Sequence, residues 1–144
     1  MDFSFHLTVH SRPEQELVHQ QQALNGKSYT TICLSPRELT RPIPFDFESA
    51  MERLQQLPNM DCEPDGYFVW AMHGPAGKRW QIDGHLFDRN DQLIYVELNG
   101  NCKMEDLERL LLCVGGHKTE FVYWLVREGL LVDHQELVRL SLLP

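Results

Sequence analysis

Apolar and polar residues alternate from Phe3 through Ser4, Phe5, His6, Leu7, Thr8 and Val9 to His10, the period of two that puts every second side chain on one face of a strand. The period then changes. Ser11 stands three residues before Glu14, Pro13 falls near a first helical position, and Leu17, Val18, Gln21 and Leu24 recur at helical spacing up to Gly26, which predicts a helix over residues 12–25. The β-branched run from Tyr29 to Leu34 predicts a strand closed by Ser35-Pro36, and Pro42 and Pro44 disfavour regular structure beyond it. Asp46 can cap a helix whose Phe47, Ala50, Met51, Leu54 and Leu57 share a face and which ends before Pro58.

Pro64 and the Asp65-Gly66 pair mark residues 59–66 as a loop. Strands over 67–73, 79–87 and 92–98 follow, joined by Gly74-Pro75-Ala76-Gly77 and by Asp88-Arg89-Asn90-Asp91, and together predict an antiparallel meander. Asn101 is read as the cap of a helix over about 103–114, with Met104, Leu107, Leu110, Leu111 and Val114 inward and Gly115-Gly116 as its stop. The aromatic and β-branched run from Phe121 to Val126 is read as a buried strand, with a two-turn helix between Thr119 and Gly129 as the alternative. Asp133, three residues before Glu136, opens a terminal helix carrying Leu137, Leu140 and Leu142. These elements predict an α+β fold in a single domain over 1–144: a mainly antiparallel sheet of five or six strands, with three or four helices packed on one face.

Composition narrows the class further. A chain of 144 residues with 42% hydrophobic and 24% charged positions has enough apolar surface for one core and is neither collagen-like nor disordered. The apolar run from Phe121 to Val126, which no other in the chain exceeds, falls far short of the roughly 20 residues that cross a bilayer, so no membrane partner is expected. With Lys and Arg at 13 against Asp and Glu at 21, the net charge of −8 repels phosphate backbones, so no nucleic-acid partner is expected either. Cys33, Cys62, Cys102 and Cys113 lack the short paired spacings of zinc sites and are read as free, mostly buried thiols. The first ten residues lack a basic stretch followed by an apolar one, and the expected location is the reducing cytoplasm.

The most informative segment for chemistry is the predicted hairpin over 79–98. Trp80, Ile82, Gly84 and Leu86 share a face, as do Ile94, Val96 and Leu98, and bringing these sets to the same side requires a connection of odd length. A three-residue loop, Arg89 to Asp91, with Asn90 or Asp91 in the left-handed region, sets Ile82 against Leu98, His85 against Tyr95 and Asp83 against Glu97. Opposed carboxylates destabilise a sheet unless water, a cation or a shared proton relieves them. His73, Asp83, His85, Tyr95 and Glu97 are therefore the candidate binding residues, lying on an exposed sheet face, with no metal and no cofactor expected there.

His-x-Thr occurs twice, at His6-Leu7-Thr8 and at His117-Lys118-Thr119. The pair resembles the His-x-Thr/Ser motifs of the two-histidine phosphoesterases, a resemblance that implies one proton handled by each histidine and a phosphate held by the hydroxyl residues. It covers six residues, and the second copy follows Gly115-Gly116 in an expected loop, so His6 and His10 are read as exposed strand residues. Phosphate-binding loops, dinucleotide fingerprints, serine elbows and His-Glu-x-x-His pairs are absent, and Trp70, Trp80 and Trp124 are read as core. The favoured reading is a small acidic, non-enzymatic interaction module of the adaptor, inhibitor or immunity type, whose partner is a protein with a basic surface. The alternative is a small metal-assisted hydrolase or lyase using Asp83, His85 and Glu97 on the hairpin.

Overall fold

β1 (Phe3–Ser11) is a strand, as its alternation predicts, but its neighbours in space come from far along the chain. The structure, a computed structural model, describes residues 2–73, 77 and 79–144. After β1 come β2 (His19–Leu24), β3 (Lys27–Ile32), a single 3-10 turn at Pro36–Glu38, α1 (Phe47–Gln55), β4 (Met60–Cys62), β5 (Tyr67–His73) and β6 (Arg79–Arg89). The chain finishes with β7 (Gln92–Cys102), α2 (Met104–Cys113), β8 (Phe121–Leu125), β9 (Leu130–Asp133) and α3 (His134–Ser141). Seven strands form one sheet in the order β4-β5-β6-β7-β1-β8-β9, every pair antiparallel, and β2 with β3 forms a separate two-stranded sheet. The fold is thus α+β, and the described residues form seven strands in the main sheet, where five or six were expected, and three α-helices. No helix among the described residues is long and apolar enough to cross a membrane.

One face of the sheet carries the core. Phe5, Leu7 and Val9 of β1, Phe68 and Trp70 of β5, Ile82 and Leu86 of β6, and Val96 and Leu98 of β7 all lie in one buried cluster. Ala50 and Leu54 of α1, Leu107, Leu110 and Leu111 of α2, and Leu137 of α3 close the same cluster, and Trp80 packs at its margin. Removing each such aliphatic or aromatic side chain from water contributes about 1.5–3 kcal/mol. Gly84 sits inside this layer because a Cβ there would run into the Phe68 ring. The helix starts follow the sequence at two places: the Asp46 carboxylate accepts from the Ser49 amide at 2.9 Å, and that of Asp133 from the Glu136 amide at 2.9 Å.

The other face departs from expectation, since it is neither bare nor uniformly exposed. Leu17 and Ile32 pack on Val122 and Leu131, so the β2–β3 hairpin covers the β8–β9 end, and Trp124 joins this second cluster. The Glu136 carboxylate accepts from the Thr30 amide at 2.7 Å, and Arg139 donates to the Ser28 carbonyl at 2.7 Å, tying α3 to β3. Among the described residues, the outer face of β5, β6, β7 and β1 has no such cover.

Four local expectations are corrected. Residues 12–25 form no helix: Asn25 and Gly26 take φ of 51° and 79° and reverse the chain into β3, the hairpin chemistry of an Asn-Gly pair. The helical spacing of Leu17 and Leu24 had no layer to bury against, and Leu17 instead joins the second cluster. Part of the expected loop over 59–66 is β4, paired to β5, and β9 is a further strand, with Leu130, Leu131 and Val132 buried. Asn101 caps no helix, because β7 runs on to Cys102 with Asn101 opposite Ser4 and Gln81, and α2 starts after Lys103. α3 ends at Ser141, leaving Leu142 78% exposed. Most of the Gly74 to Gly77 connection lies outside the described residues.

Candidate functional site

The chemistry of the open face depends on how β6 meets β7. The two strands turn over Asn90 and Asp91 alone, both left-handed with φ of 52° and 69°, and a bulge follows between Phe87 and Asp88. The bulge leaves Ile94 without a partner, and Leu93 takes the core position expected of Ile94. Turn and bulge together keep the apolar residues of β6, and Val96 and Leu98 of β7, on the expected side but move the register by two residues. Asp83 therefore faces Asn99, His85 faces Glu97 and Phe87 faces Tyr95.

The opposed carboxylates do not form, and each acid has its own partner. Glu97 lies 2.9 Å from His6 Nε2 of β1, with His85 across from it on β6. Gln81 Nε2 donates to Asp83 at 3.0 Å, and Arg79 donates to Gln81 Oε1 at 3.0 Å, so charge is relayed along one strand. His73 sits at the end of β5 opposite Arg79, apart from the other four candidates.

Tyr95 belongs to a different construction. Across the face run five rings in succession: Tyr67 and His85 with centroids 3.8 Å apart, His85 and Phe87 at 4.0 Å, Phe87 and Tyr95 at 4.4 Å, and Tyr95 and His10 at 5.4 Å. Such cross-strand aromatic contacts stabilise a sheet and stiffen its surface. His10 is a correction, since it is only 9% exposed where a solvated residue was expected. Burial lowers its pKa from 6.5 to about 4, so its ring is neutral, hydrogen-bonded to the Thr8 hydroxyl at 2.7 Å. The Tyr95 phenol is held protonated, its pKa raised by burial and then by the Glu97 charge.

Next to Tyr67 the face dips into a hollow of about 370 Å³, lined by the carboxylates of Asp61, Glu63, Asp83 and Glu97 and by His6 and His85. Tyr67 and Val69, 53% and 38% exposed, supply its apolar wall, and among the described residues no Lys or Arg lines it. Asp83, His85 and Glu97 thus converge, while His73 and Tyr95 do not reach the hollow. Of the residues that complete it, His6 was legible as an outward position of β1, but its approach to Glu97 comes only from β1 inserting beside β7. Asp61 and Glu63 were hidden in an expected loop.

The carboxylates of the hollow can accept hydrogen bonds from a cationic group. Among the described residues, no group of three or more His, Cys, Asp or Glu is placed to hold a metal ion. The two His-x-Thr copies also stay apart: His6 is on the open face, whereas His117 packs edge-on against Phe45 at 5.9 Å and meets Arg53 of α1 at 3.3 Å. The four cysteines are free, with Cys102 and Cys113 buried and Cys33 exposed, and burial pushes the Cys102 thiol up to about 12. Compared with known protein families, curated proteins and solved structures, the chain finds no match. The site is therefore read from its own geometry.

Proposed function

We propose that this protein is a non-catalytic interaction module whose open sheet face docks a basic surface of another protein. The observation that carries the reading is the hollow, in which four carboxylates and an exposed tyrosine meet with no Lys or Arg among the described lining residues. An arginine from the partner fits this chemistry: its planar guanidinium stacks on the free side of the Tyr67 ring while its fork takes Asp83 or Glu63. The aromatic ladder supplies a stiff floor, and the net charge of −8 steers a basic partner toward it and repels nucleic acid. The metal-assisted alternative keeps Asp83, His85 and Glu97 around one hollow but not as directly opposed carboxylates, since Asp83 faces Asn99 and Glu97 faces His85.

The test uses wild-type protein, Asp83→Lys and Tyr67→Ala as baits against lysate of the source cell, with a thermal melt of each bait. Both substitutions are at exposed positions, so both baits should stay folded, Asp83→Lys melting close to wild type and Tyr67→Ala losing up to about 1 kcal/mol with its stacking on His85. A stoichiometric basic protein retained by wild type, released by rising salt and lost from both variants is the expected result. Equal retention by all three folded baits, or a partner with an acidic surface, sinks the reading.

A further inference from the structure

On the helix side of the sheet lies a second and larger concavity, about 640 Å³, between α2, the start of β8 and the start of α3. Its size is in the range of about 300–1,000 Å³ typical of small-molecule sites. Its floor is apolar, made by Leu111 and Phe121, and Leu112, 51% exposed, stands at its lip. An exposed leucine beside a cleft of this size is unfilled apolar surface rather than core.

The polar side of the cleft is ordered by a chain of three groups. The Tyr123 phenol lies 2.7 Å from His134 Nδ1, and His134 Nε2 lies 3.5 Å from Glu108 Oε1, which joins β8, α3 and α2 across the mouth. The order of groups is that of a nucleophile, a base and its orienting carboxylate. Tyr123, however, is 1% exposed, and burial raises its phenol pKa well above the ordinary value, so it keeps its proton; with His134 Nε2 turned to the Glu108 carboxylate, Nδ1 is the nitrogen left to accept from the phenol. That bond fixes His134 with its Nε2 toward Glu108 and makes the chain a positioning device, not an attacking one. Only Oε1 of Glu108 has a partner among the described residues, which leaves Oε2 free at the rim.

The other charges on the lining decide the sign of a ligand. Asp133 is spent on capping α3 and on His19, at 3.2 Å, and Glu120 pairs loosely with Arg12 at 3.6 Å. Three carboxylates thus face one guanidinium, which is itself paired, so an anion entering the cleft meets net repulsion and a cation meets attraction. We infer that this cleft binds a small primary amine with an apolar body, its ammonium on Glu108 and its body on Leu111, Leu112 and Phe121. The site is independent of the open sheet face, which lies on the opposite side of the sheet.

The full-length protein, labelled with nitrogen-15, would be titrated with phenethylamine, 2-phenylethanol and 3-phenylpropionate as amine, neutral and acidic probes of similar shape. The amine should give saturable shifts at the amides of Leu112, Phe121 and His134, and should bind about tenfold more tightly than the alcohol, with the acid weakest. Glu108→Gln should weaken amine binding about five- to tenfold, whereas Glu120→Gln should change it by less than about threefold, since it contributes only to the surrounding field. Leu112→Lys, at an exposed position that the fold tolerates, should abolish binding by placing a competing ammonium at the lip. Absence of saturable shifts, shifts confined to the sheet face, acid binding as tight as amine binding, or amine binding indifferent to both Glu108→Gln and Leu112→Lys would each overturn the proposal.

Discussion

The hairpins β2–β3 and β6–β7 both reverse over two left-handed residues, Asn25-Gly26 and Asn90-Asp91, yet one has an exposed outer strand and lies apart from the main sheet while the other lies in its middle. In β6–β7, Ile82, Leu86, Val96 and Leu98 are each 0–1% exposed, clamped between the sheet's flanks and the helices. In β2, every residue from His19 to Ala23 is exposed, and the hairpin is held by Tyr29, Thr31 and Ile32 of β3 and by polar ties to α3. Turn chemistry is enough to reverse a chain. What lies against the strands decides whether the reversal is also a structural centre, and the difference should be measurable residue by residue.

The largest separation is expected in the strands themselves. Ile82→Ala should lose about 2–5 kcal/mol in urea unfolding, and Gln21→Ala should stay within about 0.5 kcal/mol of wild type. Equal losses at the two sites would erase the distinction. Next in size is the tie to α3, since Glu136→Ala deprives the Thr30 amide and the Arg139 guanidinium of their acceptor, at a cost of about 1–3 kcal/mol. The Arg139 hydrogen bond, the largest cause, holds the Glu136 carboxyl below its ordinary pKa of 4.5. Its stabilisation is therefore complete above that ordinary value and is lost as pH falls through the lowered one. Melts of Glu136→Gln across that acid range should show a shallower pH slope than wild type. A slope identical to wild type would assign the acid sensitivity elsewhere.

The smallest effect belongs to the turn. A Cβ at Gly26 meets nothing within 4 Å, so Gly26→Ala tests the left-handed backbone alone and should cost about 1 kcal/mol. A cost near zero would mean that the hairpin is held by its ties to α3 and not by its turn.

The same contrast explains what could be read in the sequence. β5, β6 and β7 were legible because one face is buried and the other is not, which is the condition for alternation, and α1 and α3 were legible through the acceptors Asp46 and Asp133. β2 carried no such signal, because exposed strands have no face to mark, and its Asn-Gly pair was masked by the Ser11 to Glu14 spacing. β9 was missed for the opposite reason: Leu130, Leu131 and Val132 are all buried, and a short run buried on both sides does not alternate. At the candidate site, face assignment survived because the bulge and two-residue turn conserve parity. The register did not, since nothing in Phe87-Asp88 or Leu93-Ile94 announces a bulge. The pairing of His6 with Glu97 was beyond local patterns altogether, being created by a strand arriving from the other end of the chain.

That arrival has a consequence for how the molecule assembles. β4 to β7 form a run of sequence neighbours and β8 with β9 forms another, and among the described residues the strand bonded to both is β1, wedged between β7 and β8. Such long-range pairing raises contact order and slows folding. During synthesis β1 is made first, and about 90 residues separate Ser11 from Cys102, where β7 ends. At ribosomal speeds that is a wait of roughly 5–20 s. Through this interval Phe3, Phe5, Leu7 and Val9 have no sheet to enter, so the nascent chain presents an apolar strand to whatever holds unfolded segments until β7 emerges.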